Sequence, residues 1–165
     1  MNAGTSAMDA ETRADRADHG AIRLWLRMLA INRLVETRTR RLLLERYATT
    51  LPRFDLMAQL ERFPQGLRMN ELSKRMMVTG GNVTGITDGL AREGLVERVA
   101  DPADRRAWLV RLTRTGRRAF AVMAAEHERW VVEAFAALSA REMATVAALL
   151  ARLKAHVRTL EETRA

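Results

Sequence analysis

The segment MNELSKRMMVTGGNVTGITDGLAREGLVERV, residues 69–99, decides the fold. Leu72, Met76 and Val78 place apolar groups on a short helix, predicted over 69–76, and on the turn after it. Val83, Ile86 and Leu90 recur at 3,4 spacing and supply the inner face of a second helix over 80–93. Gly94 ends that helix, because glycine takes up the left-handed conformation beyond a C-cap without steric cost. Leu95-Val96-Glu97-Arg98-Val99 and residues 107–112 read as two short strands, the second with Trp108, Val110 and Leu112 on one face. Asp101-Pro102-Ala103-Asp104-Arg105-Arg106 joins them as a charged hairpin loop. Two short helices, a tight turn and a charged hairpin describe a winged helix-turn-helix.

Working outward, residues 20–46 form a long helix with the stripe Trp25, Met28, Asn32, Val35, Thr39 and Leu42. Thr49, Thr50 and Pro52 signal a new start, and that helix (52–62) packs with Phe54, Met57, Ala58 and Leu60 before Pro64 and the Gln65-Gly66 turn. Past the hairpin, Thr113 caps a helix over 114–137 whose stripe is Phe120, Met123, His127, Trp130, Ala134 and Leu138. Ser139-Ala140-Arg141-Glu142 has the form of a capping box. The helix it opens carries Met143, Val146, Leu150, Leu153, Val157 and Leu160 at coiled-coil-like spacing. Such a seam needs cover, and a second copy of the chain is the expected one. The predicted class is therefore mainly α with a small β-hairpin wing. A flexible arm (1–19) precedes a helical dimerisation region (20–48 and 114–165) that encloses a winged helix-turn-helix DNA-binding domain (49–113).

Composition bounds the function. The chain has 165 residues, 48% apolar and 29% charged, a globular balance. It contains no cysteine, which removes disulfides, thiolate metal sites and thiol nucleophiles. His19, His127 and His156 lie far apart, and no phosphate loop, nucleophile elbow or dinucleotide fingerprint occurs. No enzyme, cofactor or metal is expected. The first twenty residues are net acidic, unlike a secretory signal, and no apolar run is long enough to span a membrane, so a soluble, cytoplasmic protein is expected. The net charge is +8, with +5 in residues 21–65, +5 in 66–118, and none in 119–165. A centred basic surface points to phosphate backbones, although an arginine-rich coding bias produces the same count.

Residues carrying such an interaction can be named. With the apolar positions of the second short helix turned inward, Thr79, Asn82, Thr84 and Asp88 stay exposed. Asparagine pairs bidentately with adenine, and threonine meets a base edge or a thymine methyl. Thr79 also suits an N-cap or a phosphate. Gly80, Gly81, Gly85 and Gly89 fit close backbone approach to DNA, or else a pliable helix. Arg105 and Arg106 at the loop tip suit the minor groove, where negative potential attracts arginine. Asp101 or Asp104 is expected to pair with one of them. Arg68, Lys74, Arg75 and Arg98 are candidate phosphate contacts, which position without specifying.

The chain resembles the MarR-type (multiple antibiotic resistance regulator) transcription factors across about residues 20–160. Glu71-Leu72-Ser73, Val78 to Ile86, Glu93-Gly94-Leu95-Val96, the Asp101 to Arg106 wing and Leu112-Thr113-Arg114-Thr115-Gly116 carry the resemblance. It implies a homodimeric, sequence-specific regulator, usually a repressor, on a pseudo-palindromic double-stranded DNA operator. It further implies that Asp104 and Arg106 form a structural pair in the wing, with Arg105 nearer the tip. The family often has a cation near Gly85 or Gly89, and this chain has none there. Residues 22–29, 50–55 and 76–84 look like the branch tied to aromatic-acid catabolism, which implies a small aromatic acid or aromatic acyl-CoA as effector. Trp25, Met28, Asn32, Phe54, Met57 and Trp130 are candidates to line its pocket, with a plain core as the other explanation for those stripes. A winged-helix module that coats DNA without sequence choice, or binds only a partner protein, is the alternative of another class.

Overall fold

The computed structural model describes residues 19–162. Six helices and three strands follow in the order α1 (Gly20–Tyr47), α2 (Leu51–Arg62), β1 (Leu67–Arg68), α3 (Met69–Met76), α4 (Gly80–Arg92), β2 (Val96–Asp101), β3 (Asp104–Leu112), α5 (Arg114–Ala134) and α6 (Ala140–Glu162). The arm expected over residues 1–19 lies outside the described residues except for His19. Described residues fall into two compact units that divide after Glu128.

In the first unit, the sheet is antiparallel with the order β1-β3-β2. The strand Leu67–Arg68 was not expected. Two residues are too short to show periodicity, and they become a strand only by pairing with Val110 and Leu109. The core of this unit buries Leu42 and Leu43 of α1, Phe54, Leu56, Met57 and Leu60 of α2, and Leu72 of α3. Val83, Thr87 and Leu90 of α4 and Phe120 and Met123 of α5 complete the core with Val96, Val110 and Leu112. Ile86, expected inside, is only half-buried. Thr87 takes the inner place, and its hydroxyl donates to the Met69 sulfur at 3.8 Å.

Local chemistry sets the joints. Gly94, at φ 69°, and Leu95 donate their N–H groups to Ala91 and Leu90, so α4 closes in a Schellman motif. Thr113 accepts the Gly116 N–H at 2.9 Å, capping α5, and donates to the Gly94 carbonyl at 2.7 Å. A Cβ on Gly116 would stand 1.9 Å from the Leu95 carbonyl oxygen, so only glycine fits where α5 crosses the end of α4.

The wing corrects the expected loop. β2 extends to Asp101 and β3 starts at Asp104, leaving Pro102-Ala103 as the turn. Arg105 and Arg106 therefore stand within β3, not at the tip. The cause is the Asp101 carboxylate, which accepts the Ala103 N–H at 2.9 Å and turns the chain within two residues. The ladder then steps from Ala100–Trp108 to Asp101–Asp104, so residues 105–107 bulge without cross-strand partners.

The second unit contains the end of α5 and α6. Ser139 and Glu142 form the expected capping box, the Ser139 N–H donating to Glu142 and the Glu142 N–H to the Ser139 hydroxyl. Met143, Val146, Leu150, Leu153, Val157 and Leu160 are each 40–51% exposed, so the seam has no cover among the described residues.

Candidate nucleic-acid interface

α4 exposes one polar, small-residue face. Thr79, Gly80, Gly81, Asn82, Thr84 and Gly85 are all exposed, as expected. Thr79 occupies the N-cap position with extended backbone, yet its hydroxyl makes no cap hydrogen bond. It thus stays available at a helix start, where unpaired N–H groups favour anions. Thr84 donates its O–H to the Gly80 carbonyl at 3.0 Å, so it offers a base only its acceptor lone pairs and its methyl. A Cβ at Gly80, Gly81, Gly85 or Gly89 would meet nothing within 4 Å. Internal packing therefore demands none of these four glycines, and α4 is nonetheless a continuous helix through them.

Two of the expected phosphate contacts are already engaged. Arg98 bridges to Asp88 of α4 at 2.6 Å, which ties the wing to the helix and occupies one oxygen of the Asp88 carboxylate. Arg68 donates from Nε and Nη2 to one oxygen of Asp101, at 2.8 and 2.6 Å. Lys74 and Arg75 stand exposed at the end of α3, with the Arg75 guanidinium 4.1 Å over the Phe63 ring.

The pairing within the wing differs from the expected one. Asp104 contacts the Arg106 backbone N–H at 3.1 Å, and no ion pair joins its carboxylate to the Arg106 guanidinium among the described residues. The arginine that holds the hairpin is Arg68, close to Asp101 and 3.7 Å from Asp104. The reason is burial: Asp101 is only 7% exposed, and a carboxylate there requires a cation and donors. The Ala103 N–H, and then Arg68, hold the Asp101 carboxyl below the usual carboxylate range. Thirty-three residues separate Arg68 from Asp101, so only the local signal, an aspartate two residues before Ala103, was visible beforehand. Arg106 stays exposed on β3; the Arg105 side chain lies outside the described residues.

The expected pocket residues differ in burial and in the unit to which they belong. Trp25 and Asn32 are exposed on α1 and Met28 is half-buried, whereas Phe54 and Met57 sit in the core and Trp130 belongs to the second unit. A different cleft of about 430 Å³ opens between α2, α3 and α5. Phe54, Phe120 and His127 wall it, and Arg62, Arg75 and Asp55 line it with charge. Phe54 lies 5.3 Å from Phe120 and 5.0 Å from His127, ring centre to ring centre. Among the described residues no group of His, Asp or Glu is placed to hold a metal, and no helix is long and apolar enough to cross a membrane.

Comparison with known proteins bears on this arrangement. Residues 49–107, from the start of α2 into β3, match the model of the MarR family. A MarR family transcriptional regulator from Silicibacter pomeroyi superposes with a TM-score of 0.73 at 32% identity, over 86% of this chain and 99% of that one. The transcriptional activatory protein BadR of Rhodopseudomonas palustris is 32% identical over 67% of this chain. The HTH-type transcriptional regulator YdgJ of Bacillus subtilis is 32% identical over 58% of it. This chain spans 64% and 58% of the length of those two relatives. Helix-turn-helix, wing and flanking helices thus agree with a solved relative along nearly its whole length, and the chain belongs to the MarR family of transcriptional regulators.

Proposed function

We propose that the protein is a homodimeric, sequence-specific DNA-binding regulator of transcription that acts in the cytoplasm as a repressor. The observation that carries this is the exposed face of α4, where Thr79, Asn82 and Thr84 alternate with glycines that no internal contact requires. Such a face costs helix stability and gives nothing back to the fold. It suits a backbone that must come close to a duplex, with Asn82 reading a base edge. The wing, held to α4 by Arg98–Asp88, adds the exposed Arg106 of β3. Lys74 and Arg75 supply phosphate contacts. Dimerisation through the uncovered α6 seam would set two such units on successive major grooves, about 10 bp apart. Competition binding tests this: a fragment carrying the target promoter should displace a labelled promoter duplex far better than random DNA of equal length. Equal displacement would instead indicate a module without sequence choice. Deleting the gene should raise expression from that promoter; a fall would make the protein an activator, as BadR is named.

We further propose an acidic aromatic effector in the α2–α3–α5 cleft. Tilted aromatic walls with two arginines against one aspartate suit an aromatic carboxylate or an aromatic acyl-CoA. Because a ligand of the folded state raises apparent stability, thermal-shift measurements with both compound classes are the test. A rise in Tm accompanied by weaker DNA binding is expected. No shift with either class would refute it.

A further inference from the structure

Trp108 is the large apolar side chain of the wing that folding leaves in water, at 58% exposed. Its position is defined by register. Val96 faces Leu112, Arg98 faces Val110, and Ala100 faces Trp108, so these six share one face of the sheet. Val96, Val110 and Leu112 are buried there, and Arg98 reaches from that face to Asp88 of α4. The opposite face carries the exposed Glu97–Arg111 pair at 2.8 Å. Trp108 therefore continues the inner face one step beyond its last buried residue, on the side of the sheet that meets α4. Ala100 across the ladder is too small to cover an indole. Arg106, two residues along β3, is exposed.

We propose that Trp108 is itself a DNA contact, its ring packed on a deoxyribose of the strand that passes between α4 and the wing. The indole N–H would donate to a neighbouring phosphate. This inference rests on the DNA-binding function above and adds to it a residue outside the matched segment, which ends at Ala107. The occupant follows from the surroundings. An aromatic with one apolar face and one polar edge suits a surface that is part hydrocarbon and part wet. The exposed Arg106, two residues along the same strand, favours a polyanion over a second protein surface. Apolar side chains set against the sugars and base steps of the minor groove are a recurrent device of DNA binding.

The test uses the full chain and a fluorescein-labelled duplex recovered by selection from random-sequence DNA. Trp108→Ala should weaken binding, read by anisotropy, by about tenfold, the order expected for losing the burial of one large apolar side chain. Trp108→Phe should retain most of the affinity. Neither change should alter the slope of affinity against salt, because an indole neutralises no phosphate, whereas Arg106→Ala should lower it by about one. Adding duplex should quench wild-type tryptophan emission more than that of Trp108→Phe. Unchanged affinity for Trp108→Ala together with equal quenching would overturn the inference while leaving DNA binding intact. A Trp108→Ala chain with altered helix content or association state would overturn it as well, by making the indole a fold or subunit contact. Failure of the wild type to enrich any duplex would remove the function on which it stands.

Discussion

Two glycines of the same chain answer to opposite constraints. At Gly116 the constraint is internal, because any Cβ collides with the Leu95 carbonyl. Gly116→Ala should therefore destabilise the protein by about 2–3 kcal/mol or prevent folding, as measured by urea denaturation. Gly85 has open space around it. Gly85→Ala should raise stability by about 1 kcal/mol through helix propensity, while lowering affinity for the selected duplex. A variant gaining both stability and affinity would show that the backbone at Gly85 does not approach DNA. Asn82→Ala should cost about 1–3 kcal/mol of binding and relax preference at one base position, leaving other positions unchanged. These residues were legible in the sequence, since 3,4 spacing of Val83, Ile86 and Leu90 already turned Asn82 and Gly85 outward. Thr87 was not, because a buried threonine carries the same letter as an exposed one.

The elements were legible where they repeat and obscure where one distant side chain decides. The limits of α3 agree with the apolar spacing at both ends, and the Ser139–Glu142 box starts α6 as its four letters imply. The wing differs because Arg68 approaches Asp101 only after β1 has paired with β3. Its pH response follows from that contact. A carboxyl whose folded pKa lies below the unfolded value of about 3.9 stabilises fully above that value, and loses the contribution as the pH falls through the folded pKa. The wing should accordingly be intact at neutral pH and loosen in acid. An NMR titration of the Ala103 amide should give a midpoint below about 3.9, and Asp101→Asn should abolish it. A midpoint at or above that value would mean that the Ala103 and Arg68 contacts do not hold the carboxylate. Arg68→Met should raise this midpoint and weaken DNA binding without disturbing α6.

For the whole molecule, the decisive feature is what the described residues leave uncovered. The α6 seam runs from Met143 to Leu160 with every apolar residue at least 40% exposed. A soluble monomer rarely exposes so long a stripe. Leu150→Asp combined with Leu153→Asp should convert a dimer to a monomer by analytical ultracentrifugation and abolish tight operator binding, while α4 and the wing remain folded. Packing within the first unit extends to Glu128, beyond the expected boundary at residue 113, because Phe120 and Met123 of α5 bury in the same core as α2. Helical periodicity alone gives no indication of which part of a long helix packs where. The central claim is that α4 and the wing read a duplex in pairs related by a twofold axis. Selection from random-sequence DNA followed by sequencing tests it most directly. Inverted half-sites with centres about 10 bp apart should be enriched; a single unpaired half-site, or no enrichment at low salt, would contradict it.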